Sequence, residues 1–159
     1  MNTLERLQKL SDLIAAVGGM VEGRKKLHKL VYLCQAAGTE FSQDFIFHFY
    51  GVFSPTLAAD LDRAKAWDLL TETESKGTYV IASTARADAE GAEDFTVARK
   101  LAGESAKVLE VLSTIVYLQD AGYSGGKLAG KLGELKGHLS SDFARAQELA
   151  DLLFEIKCA

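Results

Sequence analysis

The chain has 159 residues, 48% of them hydrophobic and only one of them proline, which is enough apolar material for one domain with its own core and too much for a disordered chain. Eighteen lysines and arginines stand against 22 aspartates and glutamates, a formal charge of −4. That balance argues against a general polyanion binder and leaves room for a local basic patch.

Two cysteines, Cys34 and Cys158, have no companion at metal-ligand spacing, and Met1 to Arg6 leads into an amphipathic pattern rather than an apolar targeting core. No run approaches the roughly 18 apolar residues of a membrane span. The expectation is a reduced, cytoplasmic protein with no membrane partner.

Asn2 or Thr3 caps a first helix, with Glu5 in its first turn. Leu7, Leu10, Ile14 and Val17 follow at helical spacing, and Gly18-Gly19 ends the helix. A second helix runs from about Val21 or Glu22 to Ala37, with Leu27, Leu30, Val31 and Cys34 as its buried stripe and Gly38 as its stop. The aromatic run Phe45-Ile46-Phe47-His48-Phe49-Tyr50 reads as a strand ended by Gly51. Ser54 is an apt cap and Pro55 an apt first residue for a third helix fading near Trp67. Leu69 to Glu74 and Thr78 to Ser83 form a hairpin around Lys76-Gly77. Ala85 to Asp94 reads as an exposed linker and Phe95 to Val97 as a short strand. Glu104 to Asp120 is apolar around most of its circumference and predicts a central helix. Leu128, Leu132 and Leu135 mark a helix weakened by glycines, and Ser140 or Ser141 caps a last helix burying Phe143, Ala146, Leu149, Ala150, Leu153 and Ile156.

The predicted fold is therefore α+β and mostly helical, a single domain over 1–159. Residues 1–83 have the helix-helix-strand-helix-hairpin order of a winged-helix unit, 84–103 form a linker, and 104–159 form a three-helix part. In a DNA reader of this order the third helix would be the recognition helix, and the candidate phosphate contacts are Arg63, Lys65 and, on the wing, Lys76. Their neighbours include Asp60, Asp62, Asp68, Glu72 and Glu74. Phosphate binding needs several cations acting together, so the charges disfavour a nucleic-acid partner.

Gly23-Arg24-Lys25-Lys26-Leu27-His28-Lys29-Leu30-Val31-Tyr32-Leu33-Cys34-Gln35 and Phe49-Tyr50-Gly51-Val52-Phe53-Ser54-Pro55-Thr56-Leu57 together resemble the YwgA-like proteins and, more distantly, the Panacea or SocA-like antitoxin domains. Those families share a helix of the form KLxKLxYxxQ and a YGP turn before another helix. Lys26, Leu27, Lys29, Leu30, Tyr32 and Gln35 fit the first motif. Tyr50-Gly51 fits the second, with Val52 where proline is usual. The stretch from Ile115-Val116-Tyr117-Leu118 to Lys136-Gly137-His138 also looks YwgA-like. The resemblance implies an α+β fold without known catalytic activity, and for the antitoxin relatives a domain that contacts a partner protein such as a toxin.

Lys25, His28, Lys29 and Tyr32 recur at three- and four-residue spacing on the second helix, opposite or flanking its buried stripe. A basic helix start opposes the helix dipole. The plainest account of such a face is a solvated surface, and the functional one is a contact with an acidic partner. Tyr50 and Gly51 join it as a corner, where glycine serves a positive φ or a close approach and the tyrosine hydroxyl bonds the second helix. Lys127, Lys131, Lys136 and His138 form a second, minor basic stripe.

His28, His48 and His138 lack metal-helix spacing, Cys34 lies on a buried face that disfavours its thiolate, and Ser54 is explained as a cap. No catalytic residue, metal site or cofactor is expected. The leading expectation is a non-enzymatic protein-interaction module whose partner is a toxin or a defence-system component. A winged-helix DNA regulator and a protein with a small-molecule pocket are the alternatives, and a homodimer is compatible with each.

Overall fold

The computed structural model describes residues 1–85 and 95–156. The order of elements is α1 (Thr3–Ala16), β1 (Met20–Glu22), α2 (Arg24–Ala36), β2 (Ile46–His48), β3 (Gly51–Phe53), α3 (Pro55–Ala66), β4 (Leu70–Ser75), β5 (Thr78–Ser83), α4 (Thr96–Leu101), α5 (Ala106–Asp120), α6 (Gly125–Lys136), a 3-10 segment (Gly137–Asp142) and α7 (Phe143–Phe154). The fold is α+β and mostly helical.

Local chemistry sets the helix starts. The Asn2 side chain accepts from the Glu5 amide at 2.9 Å while Glu5 accepts from the Asn2 amide at 3.3 Å, a complete capping box. Ser54 Oγ accepts from Leu57 N at 3.1 Å, and Pro55 opens α3. Ser105 Oγ does the same for Val108 N at the start of α5.

One antiparallel sheet has the order β1-β5-β4, and β2 and β3 form a separate hairpin. Ser11 ties α1 to the sheet, its hydroxyl donating to the Leu69 carbonyl at 3.0 Å and lying 2.8 Å from Ser83 Oγ. The apolar helix α5 lies at the centre, packed against α2, α6, α7 and β3. A single buried cluster runs from Leu7 through Leu112 to Ile156.

Several expectations are corrected. Met20–Glu22 is strand rather than the start of α2: Val21 alone points inward, and all three residues pair with Val80–Ala82 of β5. The aromatic run is not one strand ended by Gly51. It turns at Phe49-Tyr50, and Gly51 opens the return strand opposite His48. Phe95–Val97 is not a strand, because Phe95, Ala98 and Leu101 bury one side of a short helix against α2. Neither Ser140 nor Ser141 caps the last helix, since a 3-10 segment runs straight into α7 after Asp142. The linker reading for Ala85 to Asp94, apart from Ala85, and Cys158 lie outside the described residues.

Candidate partner-binding face

The second helix does not present its predicted basic face to water. Lys25 is exposed, but His28, Lys29 and Tyr32 are buried, at 3%, 4% and 8% exposure. The expectation of a solvated face is corrected here. Because α5, β3, α4 and β1 all pack on α2, its covered surface is wider than the leucine stripe.

Each buried polar group has a partner. Lys29 Nζ donates to the Val52 carbonyl at 3.2 Å. His28 Nδ1 lies 2.8 Å from the Arg24 carbonyl and Nε2 lies 3.2 Å from that of Ser54. Its ring stacks on Phe53, 4.9 Å between centroids and 9° between planes. Burial holds the imidazole below its ordinary pKa, although the two carbonyls pull the other way. A neutral ring carries one N–H, so in either tautomer it donates to one of these two carbonyls.

Lys136, expected on an outer stripe with Lys127, Lys131 and His138, is instead 1% exposed. It crosses from the end of α6 to the hairpin. Its Nζ donates to the Phe49 carbonyl at 2.9 Å and to Glu110 Oε2 at 3.0 Å, and sits 5.4 Å from the centroid of Phe47. Burial lowers the Lys29 ammonium to about 8, opposed by Glu110 and assisted by Lys136 and Lys25. Two buried ammoniums from two helices thus hold the β2–β3 hairpin through its own carbonyls.

Gly51 lies against this clamp. Its φ is +93°, and a Cβ there would stand 3.3 Å from Glu110 Cγ and 3.5 Å from Lys29 Cε. Both roles expected of this glycine, the positive φ and the close approach, are present. Tyr50 meets α2 differently from the expectation: Lys25 Nζ lies over its ring, 3.5 Å from the centroid, as a cation–π contact.

The hairpin's outer residues are exposed. Phe49 is 88% accessible, Tyr50 57% and Ile46 48%, and Ile46 faces Phe53 across the ladder. Between hairpin and α2 lies a groove of about 480 Å³. Of the six predicted contact residues it gathers Lys25, His28, Lys29, Tyr50 and Gly51. Tyr32 instead borders a separate cleft of about 540 Å³ with Phe45, Tyr117, Asp120 and Phe154. Glu110 carries no sequence signal beyond a charge in an apolar pattern, and Lys136, read as part of an outer stripe, belongs instead to the support of the hairpin.

Two of the three candidate DNA contacts are tied to carboxylates. Arg63 pairs with Asp60 at 3.1 Å and Lys65 with Glu72 at 2.9 Å. Glu72 and Asp62 both hold Arg24, each at 2.8 Å. Asp60 is fully buried and also accepts from Arg6 and Gln43. Lys76 sits in the β4–β5 turn with φ +52°. Cys34 is buried and free, and burial pushes its thiol up to about 11. Among the described residues no three His, Cys, Asp or Glu side chains gather to hold a metal, and no helix is long and apolar enough to cross a membrane.

No family model matches the chain. It is 36% identical over 62 residues to the uncharacterized protein YwgA of Bacillus subtilis (strain 168), a match that spans 38% of this chain and 37% of that protein's length. The chain is therefore similar to YwgA over about a third of each sequence.

Proposed function

We propose that this protein is a non-enzymatic interaction module of the cytoplasm that binds a partner protein through the β2–β3 hairpin and the adjoining end of α2. The observation that carries the reading is the hairpin itself, which keeps Phe49, Tyr50 and Ile46 exposed on a backbone fixed by Lys29 and Lys136. Exposed apolar clusters on a fixed scaffold mark interaction sites, and aromatic side chains dominate interface energetics. The more distant antitoxin-like resemblance supports a toxin or a defence-system component as the partner class.

The test is quantitative affinity capture from the native host with the wild-type chain and Phe49→Asp, after matched thermal melts establish that both are folded. A partner lost with the variant supports the reading. An identical set of captured proteins counts against it.

Winged-helix DNA binding is the second reading, favoured by the helix order and by a sheet in which β1, between α1 and α2, joins the β4–β5 hairpin. Against it stands the pairing of Arg63 and Lys65 with carboxylates. It requires a salt-dependent mobility shift of duplex DNA that Arg63→Ala with Lys65→Ala removes.

A further inference from the structure

We propose that the groove between the hairpin and α2 takes an acidic segment of the partner protein, with a carboxylate set beside Lys25 and Lys29 and a neighbouring apolar side chain on the hairpin aromatics. The inference rests on the hairpin being the contact face and adds the chemistry of what it contacts.

Charge carries it. The chain bears −4 in total, yet among the described residues no aspartate or glutamate lines this groove. Its titratable borders are Arg24, Lys25, His28, Lys29, His48 and Tyr50. Arg24 is occupied by Glu72 and Asp62, and behind the groove Lys136 is occupied by Glu110. Lys25 has no carboxylate partner among the described residues, its ammonium resting on the Tyr50 ring. Lys29 directs one proton to the Val52 carbonyl, and an ammonium has three. Lys25, exposed at the rim, therefore borders a largely apolar cleft with no carboxylate lining it among the described residues, while Lys29 stands buried behind it near Glu110. An occupant's carboxylate would gain charge-assisted hydrogen bonds there in a partly dehydrated setting.

The apolar surface favours a peptide segment over a small anion. Val52, Phe53 and Ala58 line the groove, and beyond it the hairpin exposes Ile46, opposite Phe53, and Phe49, against His48. A small acid would fill the groove and leave those residues wet, whereas a chain lying across the hairpin covers both.

The probe is a phage-displayed library of random dodecapeptides panned against the full chain. The expected consensus places Asp or Glu within a residue or two of an aromatic or branched apolar side chain. A synthetic consensus peptide should then lose about tenfold in affinity with Lys25→Glu, or when its acid is changed to the amide, and keep its affinity with Lys25→Arg. Lys25 and Phe49 are exposed, so Lys25→Glu and Phe49→Asp should melt like wild type. Binding lost with Phe49→Asp but indifferent to Lys25→Glu overturns the acidic segment and leaves the hairpin reading standing. Indifference to both variants, or no enriched consensus, overturns both. Light scattering that finds a dimer dispersed by Phe49→Asp assigns the face to a second copy and overturns the proposal, as does duplex DNA binding that Lys25→Glu abolishes.

Discussion

Replacing Lys136 with methionine keeps the aliphatic stem and deletes the ammonium that joins α6 to the hairpin. Two losses follow. The Phe49 carbonyl gives up a charged donor at 2.9 Å, an interaction of about 1.5–3 kcal/mol. Glu110 gives up its partner at 3.0 Å while its side chain is only 14% exposed. Removing one member of a buried pair costs about 3–5 kcal/mol. Residual solvent at Glu110 and the nearby Lys29 ammonium place this site at the lower end, about 3 kcal/mol. Lys136→Met combined with Glu110→Met removes the stranded carboxylate and should recover about 1–2 kcal/mol of that loss. Urea unfolding with an unchanged m-value reads both quantities. Hydrogen exchange at the hairpin amides should quicken in the single variant, because the clamp holds that backbone. A cost for Lys136→Met below about 1 kcal/mol, the range of a surface pair, would refute the clamp. So would a double variant no more stable than Lys136→Met alone.

Gly51→Ala should cost about 2–3 kcal/mol, because φ is +93° and the new methyl meets Glu110 Cγ at 3.3 Å; a thermal melt within a degree of wild type would contradict it. Lys29 is lowered from 10.5 to about 8, so the folded chain sheds this proton before the unfolded chain does. Stability should climb as pH rises through that window, and Lys29→Met should flatten the climb in urea melts taken across it; parallel curves for the two proteins would count against the buried ammonium. The Arg24 hydrogen bond, assisted by Lys65, lowers the Glu72 carboxyl from 4.5 to about 2. Its contribution is present above 4.5 and lost as pH falls toward 2, and with Lys65 partly exposed it amounts to about 1–2 kcal/mol. Glu72→Gln should remove this part of the acid sensitivity, and an unaltered acid transition would show that the network contributes nothing.

Elements written in local code were legible. Asn2 with Glu5, and Ser54 with Pro55, mark helix starts by side chains that satisfy nearby amides, and Lys76-Gly77 marks a turn through its two positive φ angles. Elements defined by distant partners were not. The three residues of β1 are strand only because β5 lies beside them. The β2–β3 turn uses Phe49-Tyr50, which carry no turn signature, and the glycine read as the end of a strand instead opens the next one.

The candidate site shows the same division in a sharper form. A single helix read by its period offers one buried stripe, so Lys29 and His28 belong outside it. A helix covered on several sides buries long polar side chains as well, provided each head reaches a partner, and here hairpin and loop carbonyls supply those partners. Five of the six residues read as a contact face therefore do converge, but for a different reason. Lys29 braces the hairpin from within, Gly51 leaves room for that brace, and Lys25 and Tyr50 remain exposed at the rim. The charge of the groove depends equally on tertiary pairing. Asp62 and Glu72 hold Arg24, and Glu110 holds Lys136 and stands near Lys29, which leaves Lys25 as the groove's exposed cation without a carboxylate partner among the described residues. An acidic protein thus acquires one electropositive cleft by where its carboxylates are engaged, a property that net charge conceals.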